Sequence, residues 1–170
     1  MDYNLILKEI QQEIQPLLKV GKVADYIPAL KNVKKEQFSM SLHLFDGTTY
    51  NIGNVNDKFS IQSISKVFTL TKALEIYGKE LYKSVGHEPS GNAFNSLVQL
   101  EHENGIPRNP FINAGAIVVT DLLMSAHKEN SFDKILNFIK EISDNNEITY
   151  DKEVAVSEEE HGYRNMALIN

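Results

Sequence analysis

The sequence contains no cysteine among its 170 residues. Disulfide bonds, thiolate metal sites and cysteine nucleophiles are therefore excluded. Basic residues are not in excess either, since the formal net charge is -6. Without a basic stripe to contact phosphates, we expect no nucleic-acid partner. The five histidines do not fall at metal-ligand spacing with a carboxylate, so we expect no metal ion.

Long apolar runs and a secretory signal are also missing from the sequence. No run approaches the roughly 20 apolar residues that a membrane-spanning helix needs. The first residues, Met1 to Asn4, lack the charged region and apolar core of a signal peptide. Hydrophobic residues make up 42% and charged residues 24%, which is typical of a globular protein. We therefore expect a cytoplasmic protein without a membrane partner.

Hydrophobic periodicity predicts an α+β chain with one hairpin and several helices. Apolar residues at helical spacing predict a first helix over about 3–18, with Pro16 limiting its last turn. Alternating apolar residues over 38–44, the turn Asp46-Gly47 and a second strand over 48–53 predict an antiparallel hairpin. The remaining predicted helices follow Ser63 up to Gly78 and cover about 94–101, 114–125, 131–144 and 149–160.

Three Ser-x-x-Lys pairs occur, and one of them lies in a context that suits catalysis. Ser63 stands between a short extended stretch and a new helix, where the helix dipole favours developing negative charge. Lys66 follows one helical turn later on the same face and becomes a base if it is partly desolvated. A serine needs such a base because its own hydroxyl is a poor nucleophile. The alternative is that Ser63 only caps its own helix.

The other two pairs have simpler interpretations. Ser131 is expected to be the N-cap of the helix that follows it. Lys128, three residues after Ser125, suits the C-terminus of a helix. Tyr26 precedes Ile27-Pro28, and its local pattern alone favours an ordinary half-buried ring.

The stretch 105–116 is the second unusual segment. Pro107 and Pro110 fix the backbone just before Asn113, and small residues then open an apolar helix. Gly115 and its neighbours would allow close approach of another helix or of a ligand.

Several stretches taken together resemble one family, the serine-dependent glutaminases. The matching runs extend in order from about residue 20 to the last residue, and they cover 21–28, 59–66, 88–91, 94–101, 104–117, 157–158 and 162–165. The run from Asn104 to Ile117 is the most specific of them.

The resemblance implies a hydrolase that converts L-glutamine to L-glutamate and ammonia. Ser63 would be the nucleophile that attacks the side-chain amide, Lys66 would activate it, and the Tyr26 hydroxyl would lie near the same proton path. Three further matched residues would bind the amino-acid end of the substrate, which carries its ammonium and carboxylate groups: Asn113, Glu158 and Asn165. Carboxylates suit a free ammonium group, and amides suit a carboxylate. The scheme needs no cofactor, and the family suggests a homo-oligomer, either a dimer or a tetramer.

The family fold is similar to that of β-lactamases and penicillin-binding transpeptidases, with an antiparallel sheet, flanking helices and a helical domain. Residues 1–62 would supply the N-terminal helix and hairpin, and 63–170 the nucleophile helix and most of the helical domain. Because two strands alone are marginal in water, and because the sequence stops within an apolar run, we expect this chain to be the N-terminal part of such an enzyme.

Two alternatives remain open from the sequence. Another serine-lysine amidohydrolase of the penicillin-recognising type would use the same Ser63 and Lys66. A non-catalytic fragment that folds only with a partner would use neither.

Overall fold

The computed structural model describes residues 1–169. Contacts divide the chain into two compact units, one formed by Met1–Ser60 with Lys152–His161 and the other by Ile61–Asp151 with the residues from Gly162 onward. The helices of the described residues are α1 (Tyr3–Ile14), α2 (Ser65–Tyr77), α3 (Leu97–His102), α4 (Asn113–His127), α5 (Ser131–Ser143), α6 (Lys152–His161) and α7 (Tyr163–Ile169). The strands are β1 (Ser39–His43) and β2 (Thr49–Gly53). The predicted α+β class, mostly helical with a small antiparallel sheet, is confirmed.

The first unit contains the predicted hairpin. β1 and β2 pair antiparallel, with Met40 opposite Ile52 and Leu42 opposite Tyr50. These four side chains are half-buried, while their neighbours along each strand are exposed. Helix α1 contacts β2, and the Tyr3 ring lies 5.2 Å from the Tyr50 ring. The alternation therefore orients one face of the sheet toward α1, as period-2 patterning requires.

The hairpin turn follows from two adjacent residues. The Asp46 carboxylate accepts a 2.9 Å hydrogen bond from the Thr48 amide, and Gly47 adopts a φ of +86°. Glycine takes this left-handed conformation without steric cost. The hydrogen bond holds the pKa of Asp46 below its ordinary value.

Helix α6 is the C-terminal contribution to the first unit. It contacts the 3₁₀ helix Pro28–Asn32, and Ser157 Oγ accepts a 3.2 Å hydrogen bond from the Ala29 amide. This contact joins two segments that are 128 residues apart in the sequence.

The second unit is built around the contact between α2 and α4. Its core consists of Ala73, Leu81, Val85, Val119 and Leu123, all buried. The Tyr77 hydroxyl of α2 donates a 2.8 Å hydrogen bond to the Leu122 carbonyl of α4. Helices α5 and α7 also contact α4. This packing fixes the N-terminal ends of α2 and α4, which carry candidate site residues.

Two predictions about helix ends differ from the structure. The first helix ends at Ile14 rather than near residue 18, and a separate 3₁₀ turn follows at Leu17–Lys19, because Pro16 cannot donate a helical hydrogen bond. Ser131 is not an N-cap. It is the first residue of α5, and its buried hydroxyl donates to the carbonyls of Lys128 (2.7 Å) and Leu123 (3.3 Å).

Lys128 lies at the C-cap of α4, as expected. None of the helices within residues 1–169 is long and apolar enough to cross a membrane.

Candidate active site

Ser63 lies in a short 3₁₀ turn, Gln62–Ile64, immediately before α2. The residues leading into it are not extended as predicted: Ile61 is helical, and Gln62 has a φ of +45°. A non-glycine residue with positive φ is uncommon and redirects the chain sharply. The N-cap position of α2 is Ile64, so Ser63 does not cap this helix. The side chain of Ser63 is exposed.

Lys66 is the second residue of α2, and its side chain reaches the segment that precedes α4. Its Nζ donates hydrogen bonds to the Phe111 carbonyl (2.9 Å) and to Asn113 Oδ1 (2.8 Å). The same nitrogen lies 6.0 Å from the centre of the Phe94 ring. Two oxygen acceptors thus fix the direction of this half-buried amine.

Asn113 is the first residue of α4, and both ends of its amide are used. Oδ1 accepts from Lys66, and Nδ2 donates a 2.8 Å hydrogen bond to Asn165 Oδ1 on α7. Its backbone amide donates to the Phe94 carbonyl at 2.8 Å. A continuous hydrogen-bonded series therefore runs from Lys66 through Asn113 to Asn165 and joins α2, α4 and α7.

The segment before α4 is held by its own side chains and by close backbone packing. Asn109 Oδ1 accepts hydrogen bonds from the amides of Phe111 (2.9 Å) and Ile112 (3.1 Å). A Cβ added to Gly115 would overlap with the Asn109 carbonyl and lie 2.9 Å from Pro110 Cα. Gly115 therefore allows the backbone of Asn109 and Pro110 to lie against the first turn of α4.

A polar network supports the same segment from α3. The Glu103 carboxylate accepts hydrogen bonds from Gln99 Nε2 (3.1 Å) and from Arg108 Nε, and Gln99 Oε1 accepts one from Ser90 Oγ (2.8 Å). Burial raises the pKa of Glu103, but the bonds from Arg108 and Gln99 outweigh burial. The net result is a pKa below the ordinary value of a glutamate.

Tyr26 and Glu158 belong to the first compact unit. The side chain of Tyr26 is 70% exposed, so the expectation of a half-buried ring is wrong. Glu158 is half-buried on α6, next to Ser157, which binds the Ala29 amide. The second unit contains the other four candidates, Ser63, Lys66, Asn113 and Asn165, and the hydrogen bonds join the last three of them.

Sequence reasoning missed two contributors to the site. The Phe111 carbonyl binds Lys66, and Asn109 binds the amide of the same Phe111. The sequence signals were the prolines on either side of Asn109, which indicated a rigid backbone, and the family resemblance of 104–117. Neither signal identified the Phe111 carbonyl as the acceptor of Lys66. No group of histidine, cysteine and acidic side chains suited to a metal ion occurs in the part of the chain that the structure describes.

Chemically, the second unit combines an exposed hydroxyl, an amine held by two oxygens, and two amide side chains. This set suits covalent catalysis by a serine with a lysine base, next to groups that can bind a carboxylate or an amide.

Comparisons with known proteins agree with one another. A family model described as Glutaminase matches residues 21–170. A glutaminase of Aliarcobacter butzleri strain RM4018 is 63% identical over 170 residues, which is 100% of this chain and 56% of that protein.

Two solved structures are similar over nearly the whole chain. One is described as the probable glutaminase ybaS, with a TM-score of 0.86, 32% identity, and coverage of 99% of this chain and 55% of that one. The other is a probable glutaminase from Bacillus subtilis complexed with 6-diazo-5-oxo-L-norleucine, with a TM-score of 0.83, 28% identity, and coverage of 99% and 50%. The chain therefore spans about half the length of the proteins it matches.

Proposed function

This chain belongs to the glutaminase family, and we propose that it hydrolyses the side-chain amide of L-glutamine to give L-glutamate and ammonia. The observation that carries the proposal is the pair of hydrogen bonds from Lys66 Nζ to the Phe111 carbonyl and Asn113 Oδ1. They hold an amine in a fixed direction three residues after an exposed serine.

The proposed reaction proceeds in two acyl-transfer steps. Ser63 Oγ attacks the amide carbon while Lys66, in its neutral form, takes the hydroxyl proton. The same proton then goes to the departing nitrogen, which leaves as ammonia, and a glutamyl ester remains on Ser63. Water adds to this ester, with Lys66 again as base, and releases glutamate. The Ser63 backbone N–H would donate to the developing oxyanion.

The direction of the Lys66 amine supports its role as base. The Phe111 carbonyl and Asn113 Oδ1 both accept hydrogen bonds from this amine, and these bonds restrict its rotation. A base whose orientation is already restricted loses less conformational freedom when it reacts.

Substrate binding is proposed for residues that match the family. Asn113 and Asn165 present amide groups that can bind the carboxylate of an amino acid, and their mutual 2.8 Å hydrogen bond holds them in one place. Glu158 would bind the ammonium group. Tyr26 would lie near the proton path. For Glu158 and Tyr26 the support is the resemblance of their sequence stretches.

The fold of the whole enzyme, its assembly and its location in the cell are also proposed. We propose a β-lactamase-like fold for the whole enzyme and a homo-oligomeric assembly, because the resemblance implies both. We also propose a cytoplasmic location, in line with an ordinary globular composition of 42% hydrophobic and 24% charged residues.

The test is ammonia release from L-glutamine by the purified chain and by Ser63→Ala. Release that disappears in the variant supports the proposal. Turnover of a chromogenic β-lactam without turnover of glutamine would instead indicate an amidohydrolase of the penicillin-recognising type. Glutamine binding without an acyl-enzyme would indicate a non-catalytic fragment.

A further inference from the structure

Asn109 makes three side-chain hydrogen bonds although it contacts none of the proposed catalytic side chains. Its Oδ1 accepts from the amides of Phe111 (2.9 Å) and Ile112 (3.1 Å). Its Nδ2 donates to the Glu88 carbonyl at 2.9 Å. One half-buried side chain therefore fixes the peptide units of Phe111 and Ile112 relative to the segment around Glu88.

The segment around Glu88 is itself paired with the residues just before Asn109. The Gly86 amide donates to the Pro107 carbonyl (2.8 Å), and the Glu88 amide donates to the Arg108 carbonyl (3.0 Å). A Cβ added to Gly86 would lie 2.6 Å from the Arg108 carbonyl oxygen, so the two backbones are in close contact. This pairing gives Asn109 a fixed support on one side.

On its other side, Asn109 is fixed against α4. Pro110 is buried, and the missing side chain of Gly115 leaves room for the Asn109 backbone against the first turn of the helix. The direction of the Phe111 carbonyl follows from these constraints. That carbonyl is the oxygen that accepts from Lys66 Nζ at 2.9 Å.

We infer that Asn109 is a positioning residue for Lys66, which acts by holding the Phe111 carbonyl against the lysine amine. This inference rests on the proposed function, in which Lys66 is the base. Without Asn109 Oδ1, the Phe111 and Ile112 amides lose their acceptor, and the Phe111 peptide is free to rotate. Lys66 then keeps the Asn113 acceptor but loses the fixed position of the Phe111 carbonyl, which also accepts from its amine.

The first measurement does not depend on catalysis. Reductive methylation with formaldehyde and a borane reductant modifies lysine amines, and peptide mass spectrometry gives the rate at each lysine. In Asn109→Ala we expect the rate at Lys66, relative to Lys72 and Lys134, to rise about fivefold, as the loss of one hydrogen bond allows. An unchanged relative rate would overturn the inference.

The second measurement separates positioning from binding. For glutamine hydrolysis by Asn109→Ala, we expect kcat to fall by about 10²-fold, as misplacement of a catalytic group by about 1 Å can do. KM should stay close to that of the unmodified chain. A loss confined to KM, or an unchanged kcat, would contradict positioning.

Two further variants guard against a purely structural explanation. Tyr77→Phe also deletes one bond to a backbone carbonyl in the same unit, that to Leu122, at the opposite end of α2 from Lys66. It should lower stability without changing the Lys66 methylation ratio.

Asn109→Asp keeps the acceptor oxygen and loses the donor to Glu88, so it should retain more of kcat than Asn109→Ala. Equal losses in the two Asn109 variants would count against the inference.

Failure of the proposed function gives a different result. If the unmodified chain releases no ammonia, glutaminase activity of these residues is refuted. The methylation ratio alone then decides whether Asn109 holds the Phe111 carbonyl against Lys66.

Discussion

Lys66 Nζ donates a 2.8 Å hydrogen bond to Asn113 Oδ1, across 47 residues of sequence. The bond connects the first turn of α2 to the first residue of α4, and it continues through Asn113 Nδ2 to Asn165 on α7. Each partner lies at or near the start of a helix whose position is set by the packing around α4. The proposed base and two proposed substrate-binding amides are therefore parts of one hydrogen-bonded series.

Replacing Asn113 should impair both catalysis and stability. Asn113→Ala removes the acceptor of Lys66 and the donor to Asn165 together. We expect kcat/KM for the release of ammonia from L-glutamine to fall by about 10²-fold or more. The free energy of unfolding should fall by about 1–3 kcal/mol, because part-buried polar groups lose their partners. Steady-state kinetics and urea unfolding measure the two effects.

The control for this prediction is Asn137→Ala, which removes an exposed amide from α5. It should change neither quantity appreciably. An Asn113→Ala protein with normal activity would show that the bond to Lys66 has no part in catalysis.

Gly115 should not tolerate even a methyl group. An added Cβ would overlap with the Asn109 carbonyl and crowd Pro110 Cα, and both are backbone atoms that cannot rotate away. Alanine favours a helix by about 1 kcal/mol over glycine, but overpacking of this kind costs about 1–3 kcal/mol or more. We therefore expect Gly115→Ala to lower the free energy of unfolding, as measured in urea.

Gly91→Ala is the matched control, because no atom lies within 4 Å of its added Cβ. Its effect should be within about 0.5 kcal/mol. Equal stability of the two variants would refute the close contact between α4 and the segment before it.

Acid should reduce the contribution of Glu103 to the free energy of unfolding. Its pKa is lowered in the folded state, because bonds from Arg108 and Gln99 outweigh the opposing effect of burial. In the unfolded chain the pKa returns to its ordinary value of 4.5, so the unfolded state binds the proton first as the pH falls. The stabilisation is complete above that pH and is lost as the pH falls through the lower pKa of the folded state.

The measurement is urea unfolding of the unmodified chain and of Glu103→Gln between about pH 7 and pH 3. The stability difference between them should be largest near neutral pH and should shrink in acid. Glu101→Gln, which changes an exposed residue of α3 two positions before Glu103, should show no such trend. A difference that stays constant with pH would contradict a lowered pKa for Glu103.

The hairpin was predictable from the sequence because its determinants are local. Alternating side chains define the two strands, and Asp46 with Gly47 defines the turn, through a bond to the Thr48 amide and a positive φ. Helices α1 to α6 were predictable for the same reason, although the end of α1 was placed too late, whereas α7 was not predicted. Pro16 was expected to limit the last turn of α1, but the helix ends before it, at Ile14.

The environment of the site was less accessible to sequence reasoning. Nothing in the local pattern indicates that Gln62 adopts a φ of +45°, because glutamine does not favour that conformation. The acceptors of Lys66 lie 45 and 47 residues away, so only tertiary packing brings them together. For Ser131 the local pattern was misleading. It is typical of an N-cap, but the hydroxyl is buried and donates to two carbonyls.

The decisive measurement is covalent labelling by 6-diazo-5-oxo-L-norleucine, the compound in the Bacillus subtilis complex. It carries a diazoketone where glutamine has its amide, and a nucleophile that displaces N₂ remains attached to it. Intact-mass and peptide analysis should find one adduct, on Ser63, that L-glutamine suppresses and that forms more slowly in Lys66→Ala. The adduct should be absent in Ser63→Ala. Labelling that persists in Ser63→Ala, or no labelling of the unmodified chain, would contradict the proposed nucleophile.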